Sequence, residues 1–272
     1  MPLKVEILTI GTELIIGLIV NTNAAWLARK LTSLGCYVTR IVTVRDDIDE
    51  IVSAIHDAFN RGADMVITSG GLGPTEDDMT LEAVSKAFNR KLVLNPEALR
   101  MIEERYRRLH AEGILKTPSL LPERRKMAYV PEGSQLLPNP VGAAPGILLK
   151  VDDKIVVCLP GVPKELEAIF EQHLEKIIVK LSGAFLSKTF KVSTDCNDES
   201  LIASIIKKVN RLFPEAYIKS HATRFKKELG VPLTITLYGS GEDLESKAKK
   251  IVKLIDKELR KLDYHCLKLE KL

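Results

Sequence analysis

The sequence predicts an α/β protein: a three-layer sandwich around a mostly parallel sheet, followed by a smaller α+β domain. Three observations lead there. Short apolar runs alternate with amphipathic helical patterns through the first two thirds of the chain. Turns rich in glycine and carboxylates recur just after the apolar runs. Beyond residues 182 and 183 the pattern changes to the order β-α-β-β-α-β, the ferredoxin-like unit.

The elements follow in order. Residues 5–10 form a continuous apolar strand that ends at Gly11, and 21–34 read as a helix with Ala24, Leu27, Ala28 and Leu31 on one face. A strand over 37–44, a helix over 48–60, a strand over 63–68 and a helix over 77–88 continue the alternation. Such alternation calls for a parallel sheet with helices on both faces. Residues 96–113 read as an arginine-rich helix, and 117–125, with two prolines, as an irregular lid or arm. Short strands follow at 134–137, 146–151 and 154–159, the last two joined by a tight turn at Asp152 and Asp153. A helix over 163–181 starts with Pro163, where a missing N–H costs least. The boundaries are therefore 1–181 and 182–272. In the second part, strands at 187–193, 216–220, 232–238 and 264–269 frame helices at 198–212 and within 241–262, with a charged loop around 224–228.

Bulk composition narrows the class. With 272 residues, 45% hydrophobic and 28% charged, the chain is long enough for one large or two modest globular cores. Its net charge of +4 comes from interleaved signs with no basic stripe carrying aromatics, which argues against nucleic acid. The densest basic clusters, Arg105, Arg107 and Arg108, then Arg124, Arg125 and Lys126, read as solvated faces or as contacts to ligand phosphates. Four scattered cysteines lack zinc spacing and point to a reducing, cytoplasmic setting. No apolar run suits a signal peptide or a membrane span.

Residues 69–80, SGGLGPTEDDMT, carry the most chemistry. An apolar strand runs into a glycine-rich turn and then into acids at a helix start. Glycines admit close backbone approach, and a helix start offers unpaired N–H groups to an anion. Carboxylates beside that anion require a cation between them. A capping box of Thr75 with Asp78 would explain one acid but not three glycines and a proline. Ligands gather outside the carboxyl ends of parallel strands. There the sequence places Gly11-Thr12-Glu13, Asp46-Asp47, residues 69–78, Pro160-Gly161-Val162-Pro163 and the turn-prone segment 139–146. Asp46-Asp47 can equally be an acidic helix start before Ile48.

The same stretches carry a resemblance. Gly11-Thr12-Glu13-Leu14 with Gly17 and Asn21-Thr22-Asn23, then residues 70–75 with Asp77, Asp78 and Thr80, then 139–142 with Ala144-Pro145-Gly146, and finally residues 160–165 resemble the CinA family's amino-terminal domain, itself similar to the molybdopterin-binding fold of molybdenum cofactor biosynthesis. The likeness spans about residues 4–170, without the amidohydrolase domain that many bacterial members add, as in a standalone form. It implies one of two activities: metal-dependent pyrophosphatase action on ADP-ribose- or FAD-class compounds, or binding of molybdopterin or a nucleotide without hydrolysis.

The residues carried over by that resemblance are as follows. Gly70, Gly71, Gly73 and Thr75 match the phosphate-cradling loop and Asp78 the acid after it, with Ser69 leading in. Asp46 lies where relatives place a second functional acid, though Arg45 precedes it where glycine or proline is common. Gly11, Thr12, Glu13 and Asn21 belong to the first motif, where Asn21 replaces a common Asp. Gly142, Pro160, Gly161 and Glu165 fall in the later motifs. Asp78 and Asp46 are then the expected catalytic acids. With Glu13 they are the expected ligands of a divalent cation, Mg²⁺ or alternatively Co²⁺ or Mn²⁺, with any monovalent activator undefined. Partners are a nucleotide-like or pterin small molecule and further copies of the chain as a homodimer or higher homo-oligomer, with no nucleic acid or membrane.

Overall fold

The computed structural model of the chain describes residues 2–183, 185–221, 230–240 and 243–271. The charged loop expected around 224–228 and the start of the last helix at Gly241 lie outside the described residues. The chain divides into two units. One comprises Pro2–Thr32 and Cys36–Ser182; the other comprises Gly183–Leu272 with Ser33–Gly35.

In the first unit, β1 (Lys4–Ile10), α1 (Thr12–Ile15), α2 (Thr22–Ser33), β2 (Tyr37–Val44), α3 (Ile48–Asn60), β3 (Met65–Ser69) and α4 (Thr80–Ala87) follow in turn. Then come β4 (Leu92–Leu94), α5 (Pro96–Ala111), α6 (Pro122–Lys126), β5 (Tyr129–Pro131), β6 (Gln135–Leu137), β7 (Gly146–Val151) and β8 (Lys154–Leu159). The unit ends with α7 (Pro163–Ile169), a π-helical turn (Phe170–Leu174) and α8 (Glu175–Ser182). The main sheet has the order β2-β1-β3-β8-β7-β6. Its first four strands are parallel and β6 runs the same way, while β7 alone is reversed and pairs antiparallel with both β8 and β6, because the tight turn at Asp152 makes β7 and β8 a hairpin. β4 and β5 form a separate two-stranded sheet.

Strand alternation sends side chains to two helical layers. Leu8, Ile10, Val66 and Val156 pack with Ile51 and Ile55 of α3 and with Leu81 and Val84 of α4. On the opposite parity, Thr9 and Ser69 bond to Asn21 and Asn23 at the start of α2. Trp26 of α2 meets Phe170 edge to face at 5.2 Å. Leu27 and Leu31 are fully buried on the inner face of α2, each such side chain contributing about 1.5–3 kcal/mol. These layers hold the carboxyl ends of β1, β2, β3 and β8 along one edge.

Several expectations need correction. The helix expected from residue 77 begins at Thr80, with Met79 in the cap position and no side-chain cap. The preceding glycines and Pro74 keep residues 70–79 irregular, so Thr75 and Asp78 form a local turn ahead of the helix rather than a capping box. The arm expected over 117–125 ends in the short helix α6. The helix expected over 163–181 is interrupted by its π-helical turn.

In the second unit, β9 (Phe185–Thr194), α9 (Glu199–Leu212), β10 (Ala216–Ser220), β11 (Leu233–Ser240), α10 (Leu244–Arg260) and β12 (Cys266–Lys271) give an antiparallel sheet of order β10-β11-β9-β12. Asp198 caps α9 by accepting the Ser200 and Leu201 N–H groups. Ile202 and Ile205 of α9 join Ile251 and Ile255 of α10 over Val192 and Ile235. No helix among the described residues is long and apolar enough to cross a membrane.

Candidate functional site

The loops after β1, β2, β3 and β8 enclose a cleft of about 680 Å³, a size suited to a small-molecule ligand. The glycine turn is shaped by the protein itself. Gly70 has φ +113°, and a side chain there would stand 2.2 Å from the Ile10 carbonyl oxygen. Gly71 has φ +69°, and its Cβ would stand 2.2 Å from Thr80 Oγ1. The buried Thr80 hydroxyl donates to Gly70 O at 2.8 Å, and its N–H donates to Gly71 O at 3.2 Å, clasping the turn to α4. Close approach by a ligand is thus not the only reason for these glycines.

That clasp fixes where the backbone donors go. Gly70 N–H is spent on Leu159 O at 3.0 Å. Thr75, expected to donate to a ligand, gives both its N–H (2.9 Å) and its hydroxyl (2.6 Å) to Asp78 Oδ2. Pro74 has no N–H. Among the described residues no acceptor faces the N–H groups of Gly71, Leu72 and Gly73, and all three residues line the cleft. Consecutive unspent amides of this kind form an anion-binding concavity.

Five carboxylates share the cleft with it. Glu13, Asp46, Asp77, Asp78 and Glu165 line the cleft, while no Lys, Arg or His does among the described residues. Asp46 accepts the Thr12 N–H at 2.7 Å and the Thr12 hydroxyl at 2.9 Å, both on Oδ2. Asp78 likewise commits only Oδ2. Oδ1 of each is left for a cation or a ligand. Glu13, Asp46 and Asp78 do not form a preassembled cage: no three His, Cys, Asp or Glu side chains gather around one point among the described residues.

The other expected site residues divide into lining and support. Asn21, Ser69, Pro160 and Gly161 line the cleft. Asn21 Oδ1 accepts Ala24 N–H at 3.0 Å and its Nδ2 donates to Thr9 Oγ1 at 2.9 Å, which leaves it a supporting role. Gly11, Thr12 and Gly142 shape the rim without lining the cavity. Gly11 N–H bonds Val44 O at 3.1 Å, and a side chain on Gly142 would meet the Glu165 carboxylate at 2.0 Å. Asp47 is the cap of α3, accepting from Asp49 and Glu50 N–H, so the helix-start reading holds for Asp47 and not for Asp46.

Asn23 and Asn139, present in the motifs but given no role there, organise the site, and Tyr106 and Met127 were not foreseen. Asn23 donates to Ser69 Oγ at 2.9 Å and to Gly161 O at 2.7 Å, tying α2 to the ends of β3 and β8. Asn139 donates to Glu165 Oε2 at 2.7 Å and to Ala144 O at 2.8 Å. Apolar walls come from Leu14, Ile19 and Val20 on one side and from Tyr106 and Met127. The Asn21-Thr22-Asn23 motif already contained Asn23, but nothing local suggests Tyr106, which α5 brings from a distance.

Comparisons with known proteins agree with this architecture. Residues 6–180 match the family described as a probable molybdopterin binding domain. A protein of Pyrobaculum arsenaticum is 47% identical over 249 residues, 90% of this chain and 90% of that protein. A protein of Pyrococcus furiosus is 40% identical over 249 residues, 91% of this chain and 95% of its own length. Among solved structures, the protein CinA with unknown function from Thermoplasma acidophilum is 41% identical with a TM-score of 0.59, covering 65% of this chain and 98% of that one.

Proposed function

The chain belongs to the family of probable molybdopterin binding domains, in CinA-like form, and we propose that its cleft binds a phosphate-bearing planar heterocycle of the molybdopterin or nucleotide class together with a divalent cation. One observation carries this reading: among the described residues, three unspent backbone N–H groups at Gly71, Leu72 and Gly73 share the cleft with five carboxylates and no basic side chain. The amides are donors for phosphate oxygens. The carboxylates would repel the same phosphate at short range unless a cation came with it. Asp78 and Asp46 through Oδ1, with Glu13, are the residues that would hold that cation. The apolar walls at Leu14 and Ile19, and at Tyr106 and Met127, are available to the ring system.

A second reading is favoured by the acids themselves. Hydrolysis of a phosphoanhydride in an ADP-ribose- or FAD-class compound needs charge neutralisation at phosphorus, which a bound cation supplies. In that reading Asp78 and Asp46 are the catalytic acids, and the free amides stabilise developing oxygen charge. Purified protein incubated with ADP-ribose, FAD or molybdopterin and Mg²⁺ separates the two. Saturable binding without product supports the first reading. AMP release that disappears in Asp78→Asn supports the second. Neither binding nor product with any of them rejects both. A cytoplasmic homodimer or higher homo-oligomer is the assembly we propose, with mass in solution as its check.

A further inference from the structure

The arginines around α5 are in two different states. Arg107 pairs with Glu103 at 3.5 Å. Arg124 lies over the Tyr106 ring at 4.1 Å and donates to the Thr117 and Ser119 carbonyls. Arg105 and Arg108 have no such engagement: among the described residues neither has a carboxylate, carbonyl or ring partner. Both line a second cavity of about 160 Å³, closed opposite them by the segment 138–145. That segment is ordered from within. Asn139 Oδ1 accepts the N–H groups of Val141 (3.0 Å) and Gly142 (2.7 Å), and its Nδ2 holds Ala144 O and Glu165. Three prolines, Pro138, Pro140 and Pro145, stiffen the wall.

We propose that Arg105 and Arg108 form a second binding site, distinct from the acidic cleft, for a single phosphate group. Three features of the cavity select that ligand. Its charge is positive, since two guanidinium groups face one carboxylate, Glu104. It is smaller than cavities that take whole drug-sized ligands, so it takes a small anion or one end of a larger molecule. Guanidinium forks match phosphate oxygens in a bidentate geometry that a lysine ammonium does not reproduce. The site calls for no metal, whereas the charged residues that line the cleft among the described residues are all acids. Ala143 borders both cavities. The phosphate can therefore be free in solution or be the outlying group of a molecule seated in the cleft.

Titration of inorganic phosphate into the full chain without any divalent cation, followed by ³¹P line width or calorimetry at low salt, tests this. Saturable binding is expected, weakened about tenfold or more by Arg105→Gln or Arg108→Gln. Arg107→Gln, which alters an arginine already paired on the same helix, should leave it unchanged. Arg105→Lys should recover only part of the loss, because the fork is gone. The same unfolding midpoint in all four variants excludes a folding defect. Competition by AMP would assign the site to a ligand's phosphate, and indifference to AMP would assign it to free phosphate; both outcomes retain the site. Absence of saturable phosphate binding in the native chain overturns the proposal. So does equal weakening by Arg107→Gln, or weakening by Asp78→Asn with the Arg105 and Arg108 variants unaffected. Because no metal is present, failure here leaves the metal-dependent reading of the cleft standing.

Discussion

Gly71→Ala tests whether the glycine turn is held by the protein or only by a ligand. Gly71 sits at φ +69°, and the new Cβ would stand 2.2 Å from Thr80 Oγ1 and 3.2 Å from Thr80 Cβ. Thr80 is fully buried, and its hydroxyl donates to Gly70 O at 2.8 Å. The left-handed backbone costs a non-glycine residue about 1–2 kcal/mol. Displacing the Thr80 hydroxyl strands a buried carbonyl, worth about 1–3 kcal/mol more. The expected loss is therefore about 2–5 kcal/mol in all. Guanidinium unfolding should show a lower midpoint with an unchanged slope. Thr80→Ala removes the hydroxyl that the added methyl group would strike. In that background the cost of Gly71→Ala should fall to the backbone term alone, a coupling of about 1–3 kcal/mol in a double-mutant cycle. Equal cost in both backgrounds, or none in either, refutes the clasp and with it the argument that Gly71, Leu72 and Gly73 N–H groups are held ready.

Other predictions follow from the same geometry. Asn23→Ala removes both bonds between α2 and the ends of β3 and β8; it should lower stability by about 1–3 kcal/mol by chemical unfolding. Asp46→Ala leaves the Thr12 N–H and hydroxyl without their acceptor. It should cost about 1–3 kcal/mol, whereas Asp47→Ala, losing a helix cap, should cost about 0.5–2 kcal/mol without affecting ligand binding. Burial pushes the Cys36 and Cys158 thiols from 9.0 up to about 12. The folded state thus favours the neutral thiol, so this stabilisation is complete below pH 9 and declines as pH rises toward 12. Thiolate absorbance of the native chain should stay flat to about pH 10, and a native titration near the free-thiol value contradicts the burial.

Much of this architecture was legible because strand and helix periods are local. The helix over Ile48–Asn60 and the strands over Gly146–Val151 and Lys154–Leu159 have the bounds their patterns indicate. Glycine and proline marked the rim loops for the same reason. The antiparallel course of β7 was implied by the turn at Asp152 but not by any residue of the strand itself. What local pattern could not reveal was partnership. Asp46 and Thr12 are 34 residues apart, and Asn23 and Gly161 are 138 apart. Asp78 looked like a helix-start acid because acids near a helix commonly serve its dipole; only the Thr80 clasp shows that the helix begins later. The amides of Gly71, Leu72 and Gly73 could be singled out only after Thr75 and Gly70 had found partners.

The most direct test is equilibrium titration of the full chain with ADP-ribose and with molybdopterin, each with and without Mg²⁺, for the native protein and Asp78→Asn. Saturable binding of at least one that requires Mg²⁺, and that falls about tenfold or more in Asp78→Asn at an unchanged unfolding midpoint, is the predicted result. Equal binding without a divalent cation, undiminished binding in Asp78→Asn, or no binding of either compound would contradict it.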